Sequence, residues 1–250
     1  MSRTLVFAGN WKMHKAPADA RSFFDEFLGR IAPAGDRRII FFPPALAVPT
    51  AVEACSGRSD VEIGVQHIHW EELGAFTGEI SAGMARAAGA QASLIGHSER
   101  RHLFGETVGE TGKKLQAASR AGLLPVLCVG ETIDERRADR AEQVVREQLE
   151  PLLDCLRGNG ISRDRVMVAY EPVWAIGTGE TASPDDAQEM HARIRALLDE
   201  VDAAHVPLLY GGSVKPENAS VLLSGEDVDG VLVGGASLEP SSFARICDAR

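Results

Sequence analysis

Val166-Met167-Val168-Ala169-Tyr170-Glu171-Pro172-Val173-Trp174-Ala175-Ile176-Gly177-Thr178-Gly179 runs from an apolar segment, through a carboxylate, into a loop hinged at both ends. Val166 to Tyr170 is short, apolar and partly β-branched, and reads as a buried strand. Glu171 stands where that run stops. Pro172 fixes the backbone on one side of the following loop, and Gly177 and Gly179 loosen it on the other. Val173, Trp174, Ala175 and Ile176 are too apolar for an ordinary exposed loop. The segment reads either as a lid that closes over the carboxylate and excludes water, or as a loop packed permanently against the core. Just beyond it, Ser183-Pro184 has the form of a helix N-cap followed by proline at the first helical position. Ala187, Met190, Ile194, Leu197, Leu198 and Val201 then recur at helical spacing. A strand followed by a helix is the unit from which parallel sheets are built.

The same alternation extends in both directions. Strand-like runs fall at Leu5–Ala8, Ile39–Phe42, Val61–Gln66, Ser93–Gly96, Leu124–Val129, Val166–Tyr170, Leu208–Tyr210 and Gly230–Val233. Most are continuously apolar, as strands covered on both faces are. Ala141, Val144, Val145 and Leu149 mark another helix, which Pro151 is expected to kink or end. Lys215-Pro216-Glu217 is expected to open a further one. About eight β-then-α units follow one another with no linker or composition shift between them. The 250 residues therefore read as one domain, residues 1–250. The expected fold is α/β, a single-domain (β/α)8 barrel. An open doubly wound sheet is the alternative, but no G-x-G-x-x-G turn after the first strand supports it.

The chain carries 26 Lys and Arg against 36 Asp and Glu, a net charge of −10. That balance argues against a nucleic-acid or anionic-membrane partner. It leaves room for a phosphate ligand, because backbone N–H groups and one lysine make a local anion site on an acidic protein. Cys55, Cys128, Cys155 and Cys247 are scattered without CxxC spacing. Met1–Asn10 lacks the apolar core of a signal peptide, and no run approaches membrane-spanning length. The expectation is a cytoplasmic protein with reduced thiols.

In a parallel barrel the C-terminal ends of the strands form the active-site face. Asn10 and Lys12 follow the first strand, His97, Ser98 and Glu99 the fourth, and Glu171 the sixth. The seventh and eighth end in Gly211-Gly212-Ser213 and Gly234-Gly235. Glycine turns expose backbone N–H groups to an anion, and the last two βα loops are where such barrels often hold phosphate. The inferred chemistry is proton abstraction beside the carbonyl of a small phosphorylated substrate. Glu171 would be the base, His97 would polarise the carbonyl, and Lys12 would stabilise the enediolate charge. Each residue has a plainer reading: Lys12 as a solvated surface lysine, His97 as a hydrogen-bonded structural residue, Glu171 as a cap or ion-pair partner, the glycines as turns. Their coincidence at strand ends on one face favours the catalytic reading.

Asn10-Trp11-Lys12, Gly74-Ala75-Phe76-Thr77-Gly78-Glu79, Gly96-His97-Ser98-Glu99-Arg100-Arg101, Cys128-Val129-Gly130-Glu131, Tyr170 to Gly179, Tyr210-Gly211-Gly212-Ser213-Val214 and Val233-Gly234-Gly235-Ala236-Ser237-Leu238 together resemble the triosephosphate isomerase family. The matches span the chain in family order. The resemblance implies interconversion of dihydroxyacetone phosphate and D-glyceraldehyde 3-phosphate in glycolysis and gluconeogenesis, without metal or organic cofactor. It implies Glu171 as the proton shuttle between carbons, His97 as a neutral imidazole, Lys12 as a source of positive charge, and Asn10 as an orienting amide. Ser98 would hold the base in the open state, and Glu99 would be a carboxylate near the lysine. Backbone N–H groups of Gly177, Ser213, Gly234 and Gly235 would grip phosphate as Pro172–Gly179 closes. The resemblance also implies a homodimer, in which the Thr77 loop enters a pocket beside the partner's active site and buttresses Asn10 and Lys12.

Some residues depart from that pattern. His67 stands where the family more often has Asn. With His69, Glu71 and Glu72 it resembles a metal-binding run, but a zinc site would need cysteines or a distant third ligand, and interface packing with a solvated loop edge is the plainer reading. Glu180 stands where many relatives carry Lys and reads as a solvated charge. Cys128 reads as a packed thiol, and Trp174 as lid packing. Two other functions compete. A Schiff-base aldolase would need a buried lysine at the strand ends, and the later strands offer none. A phosphate-binding scaffold without turnover would be marked by loss of Glu171, His97 or Lys12, and all are present.

Overall fold

Eight parallel strands close into a barrel in the computed structural model, each paired with the next and the last with the first. Residues 4–175 and 182–249 are described. The strands are β1 (Leu5–Asn10), β2 (Arg37–Phe42), β3 (Val61–Val65), β4 (Ala92–Ile95), β5 (Leu124–Val129), β6 (Met167–Tyr170), β7 (Leu208–Tyr210) and β8 (Gly230–Val233). Helices fill the connections, as the alternation in the sequence predicts. β1 runs on past Ala8 because Gly9 and Asn10 stay in register with Phe41 and Phe42 of β2. β2 begins earlier than its apolar run, since Arg37 and Arg38 pair with Leu5 and Val6 at the barrel's N-terminal mouth.

Alternate residues of a strand face opposite sides of the sheet, and the core divides accordingly. Val6, Ala8, Ile40, Phe42, Leu94, Val126, Cys128, Ala169, Leu209 and Leu232 form one cluster, which fills the barrel. The intervening Phe7, Ile39, Phe41, Ile63, Ile95, Leu127, Val168 and Val231 belong to the larger cluster between barrel and helices. This two-sided burial explains why the strands read as unbroken apolar runs.

Two helix expectations need correction. The helix Ala141–Arg157 does not end at Pro151. Leu149, Leu152, Leu153 and Leu156 are fully buried on both sides of the proline, so packing carries the helix through a position that lacks its N–H. Gly112 on the neighbouring helix Val108–Arg120 accommodates the ring: a Cβ there would lie 3.2 Å from Pro151 Cβ. Lys215-Pro216-Glu217 forms a turn, and the helix begins only at Ala219. Asn218 closes that turn, its Oδ1 accepting the Lys215 N–H at 2.8 Å. Ser183, by contrast, caps the helix Pro184–Asp199 as read, its hydroxyl accepting from the Asp186 N–H.

The seam where β8 meets β1 is held by aromatic rings. Trp11, just past β1, packs on Phe23 and Phe24 of the helix Pro17–Arg30. Phe41 lies at the centre, 5.0 Å from Phe24, 5.1 Å from Phe27 and 5.0 Å from Phe243 of the helix Pro240–Cys247. The Trp11 indole Nε1 donates to the Ser237 carbonyl at 3.1 Å, tying the exit of β1 to the segment after β8. Asn10 and Lys12 flank this tryptophan, so the seam fixes where they emerge. Truncating Phe41 to alanine should lower unfolding free energy by about 3–5 kcal/mol. Chemical denaturation checks this; a loss below about 1 kcal/mol would mean the cluster repacks around the void.

Candidate active site

Asn10, Lys12, His97, Glu171, Ser213, Gly234 and Gly235 line one cleft of about 310 Å³ at the C-terminal ends of the strands, together with Gly211, Gly212 and Lys215. The parallel strands deliver these residues to one face from positions far apart in sequence.

Glu171 is the most constrained of them. It leaves β6 only 2% exposed, a costly place for a carboxylate unless its oxygens are satisfied. One oxygen accepts the Ser98 backbone N–H at 2.9 Å. The other lies 3.0 Å from His97 Nε2. Two glycines make the space: a Cβ at Gly130 would collide with the Glu171 carbonyl, and one at Gly211 would lie 2.8 Å from Glu171 Cγ. Burial pushes the carboxyl pKa up, but the His97 ring, the Ser98 N–H and Lys12 together hold it below the usual carboxylate range.

His97 caps the helix Ser98–Phe104, the short helix expected to start at Ser98. Its Nδ1 accepts the Glu99 N–H at 3.2 Å, so in the neutral ring the proton sits on Nε2 and points at Glu171. Burial opposes charging the imidazole. The adjoining Glu171 carboxylate, with Glu99, outweighs burial and lifts the pKa above the ordinary histidine value.

Lys12 adopts φ +51°, in the left-handed region that costs a non-glycine residue about 1–3 kcal/mol. Its neighbours fix that conformation. Asn10 Oδ1 accepts the Lys12 N–H at 3.0 Å. Gln66 Nε2 donates at 2.8 Å to the carbonyls of both Lys12 and Phe42. The ammonium pairs with Glu99 Oε1 at 2.7 Å. A Cβ on Gly234 would lie 3.5 Å from Lys12 Cε, so the lysine stem runs beside the Gly234-Gly235 turn. Gln66 was not among the site candidates; its signal in sequence is a lone amide just past the end of β3.

Glu131 was also missed. It follows β5, is fully buried, and gathers Tyr170 Oη at 3.1 Å, Trp174 Nε1 at 2.8 Å and Arg136 at 3.2 Å on one oxygen. Arg136 also covers the Trp174 ring at 4.9 Å and pairs with Asp186 at 2.6 Å. The start of the apolar loop is therefore anchored, with Ala175 buried. Gly177, and the far hinge at Gly179, lie outside the described residues.

Thr77 does not reach the cleft of its own chain. It belongs to an exposed loop that also carries Leu73 and Phe76. His67 fastens the base of this loop, with Nε2 2.7 Å from Glu79 and Nδ1 3.4 Å from Lys114 Nζ. His69 stacks between Trp70 and Phe76. Among the described residues no group of three or more His, Cys, Asp or Glu is placed to hold a metal. Cys128 is fully buried, and burial pushes its thiol well above the ordinary range, which leaves it inert.

Comparison with known proteins adds an independent line. The sequence pattern of the triosephosphate isomerase family matches residues 5–250. The triosephosphate isomerase of Moorella thermoacetica is 48% identical over 247 residues, covering 98% of each chain. That of Synechococcus sp. (strain RCC307) is 46% identical over 248 residues, covering 99% of this chain and 94% of the relative. The crystal structure of the Bartonella henselae triosephosphate isomerase superimposes with a TM-score of 0.87 at 35% identity, covering 98% of both chains. On fold, sequence and the residues gathered at the strand ends, the chain belongs to the triosephosphate isomerase family.

Proposed function

We propose that the protein interconverts dihydroxyacetone phosphate and D-glyceraldehyde 3-phosphate through an enediolate, with residues 1–250 acting as one catalytic domain. The observation that carries this reading is the pairing of a buried carboxylate, Glu171, with the His97 imidazole in a cleft whose far wall is Ser213, Gly234 and Gly235. Glu171 takes a proton from the carbon beside the substrate carbonyl and returns it to the neighbouring carbon. Burial strengthens it as a base once it leaves the Ser98 N–H and His97 for the substrate. His97 then turns Nε2–H to the substrate oxygens. Freed of the carboxylate, the ring keeps burial and the helix N-terminus around it, and both favour the neutral form. Lys12 and Asn10 face the developing oxyanion. Backbone N–H groups of Ser213, Gly234 and Gly235, joined by Gly177, hold the phosphate. The chemistry is proton transfer and requires no metal or organic cofactor.

The exposed Thr77 loop supports a homodimer in which Thr77 meets the partner's Asn10 and Lys12. Leu73, Phe76, Met13 and Leu46 are large, apolar and exposed on the single chain, as residues awaiting a partner are. We place the protein in the cytoplasm and its reaction in glycolysis and gluconeogenesis.

Turnover of D-glyceraldehyde 3-phosphate, coupled to NADH-dependent reduction of the ketose product, tests the reaction. Glu171→Gln should lower kcat by several powers of ten and retain the native circular dichroism; a modest loss would place the base elsewhere. The same variant tests the electrostatics. Glu171 raises the His97 pKa in the free enzyme, so an amide at 171 should move the imidazole titration to lower pH, read by 15N histidine NMR. An unchanged midpoint would mean the carboxylate does not govern the ring. Thr77→Arg should weaken the dimer by about an order of magnitude or more and lower activity in parallel, read by sedimentation and assay. A fully active monomer would overturn the interface.

A further inference from the structure

Lys12, Glu99 and Glu171 leave the cleft with a net charge of −1, and one residue outside the proposed proton-transfer machinery brings it to zero. The whole chain carries −10, so a triose phosphate dianion approaches against the overall field. At physiological salt that field is cut off within about 8 Å, which leaves the outcome to charges at the mouth itself. Lys12 is neutralised by Glu99 at 2.7 Å. Glu171 contributes a negative charge. Among the described residues, Lys215 is the remaining lysine or arginine of the cleft lining.

Lys215 differs from Lys12 in its surroundings. It is exposed, and among the described residues no carboxylate pairs with it. Glu217, the nearest acid in sequence, is engaged by Arg245 at 3.1 Å. The backbone beneath the lysine is fixed rather than free. Its N–H donates to Asn218 Oδ1 at 2.8 Å, and its carbonyl accepts the N–H groups of Asn218 and Ala219, each at 3.1 Å. That turn follows directly on Ser213 and Val214 of the cleft wall. The chain thus holds, at the rim and on the side of the proposed phosphate wall, an exposed lysine with its backbone anchored and no carboxylate partner among the described residues.

We propose that Lys215 steers the substrate: its exposed ammonium draws the phosphate dianion onto the Ser213, Gly234 and Gly235 wall and takes no part in proton transfer. The proposal rests on the isomerase reading above. A rim charge of this kind acts on the association rate and its salt dependence rather than on the chemical step.

The test compares kcat and kcat/KM for D-glyceraldehyde 3-phosphate in wild type, Lys215→Gln, Lys215→Arg and Arg193→Gln, from about 0.02 to 0.5 M ionic strength. Arg193 lies on the outer helix Pro184–Asp199, away from the cleft, and removes the same net charge. Lys215→Gln should lose roughly five- to ten-fold in kcat/KM at low salt, keep kcat within about two-fold, and converge on wild type at high salt. Lys215→Arg should restore the salt slope, and Arg193→Gln should follow wild type. Equal slopes for Lys215→Gln and wild type would overturn the proposal. So would a salt-independent loss in kcat, which would make Lys215 a support of the turn only. A wild-type chain without turnover would overturn the isomerase reading, and the steering role with it.

Discussion

Burial of the Glu171 carboxylate is the constraint that organises this face of the barrel. An isolated ionised carboxylate out of water costs several kcal/mol, and each of its neighbours offsets part of that cost. The Ser98 N–H is available because a helix starts there, and the helix starts there because His97 caps it. The same ring that caps the helix presents its other nitrogen to Glu171. Strand, helix and side chains are thus fixed by one requirement.

The surrounding backbone stores the remaining constraints. Lys12 is held at positive φ by an amide before it in sequence and by Gln66 just past β3. Such a conformation persists only where the surroundings over-determine it. Gly130 and Gly211 are required by contact with Glu171 rather than by their own dihedral angles. The start of the apolar loop is tied to Glu131, one oxygen of which serves three donors.

Much of this is legible in the chain itself. β5, β7 and β8 occupy the residues their apolar runs mark, because buried parallel strands have no polar face to blur the pattern. The strand-end residues Asn10, Lys12, His97 and Glu171 stand out as polar groups ending apolar runs, and they line one cleft. Contacts across the fold are less visible. Pro151 reads as a kink or an end of the helix because local chemistry disfavours it, and only the packing of Leu152, Leu153 and Leu156 shows why the helix continues. Gln66 and Glu131 act on residues far away in sequence, so no spacing signals them. Lys215 reads as part of a helix start, and its place at the rim follows only from the closure of the turn by Asn218.

The joining of β1 to β8 has a consequence for the making of the protein. Val6 to Gly9 pair with Gly230 to Val233, and Trp11 is tied to Ser237. The amide that ends β1 and the lysine after it leave a ribosome long before the glycine turn that lies beside them. Contacts of such sequence separation are slow to form and come late. An incomplete chain has no cleft at all, since half of its wall has not been synthesised. The cleft therefore waits for β8 and the turn after it, and a chain cut short of them lacks Gly234 and Gly235 from its wall.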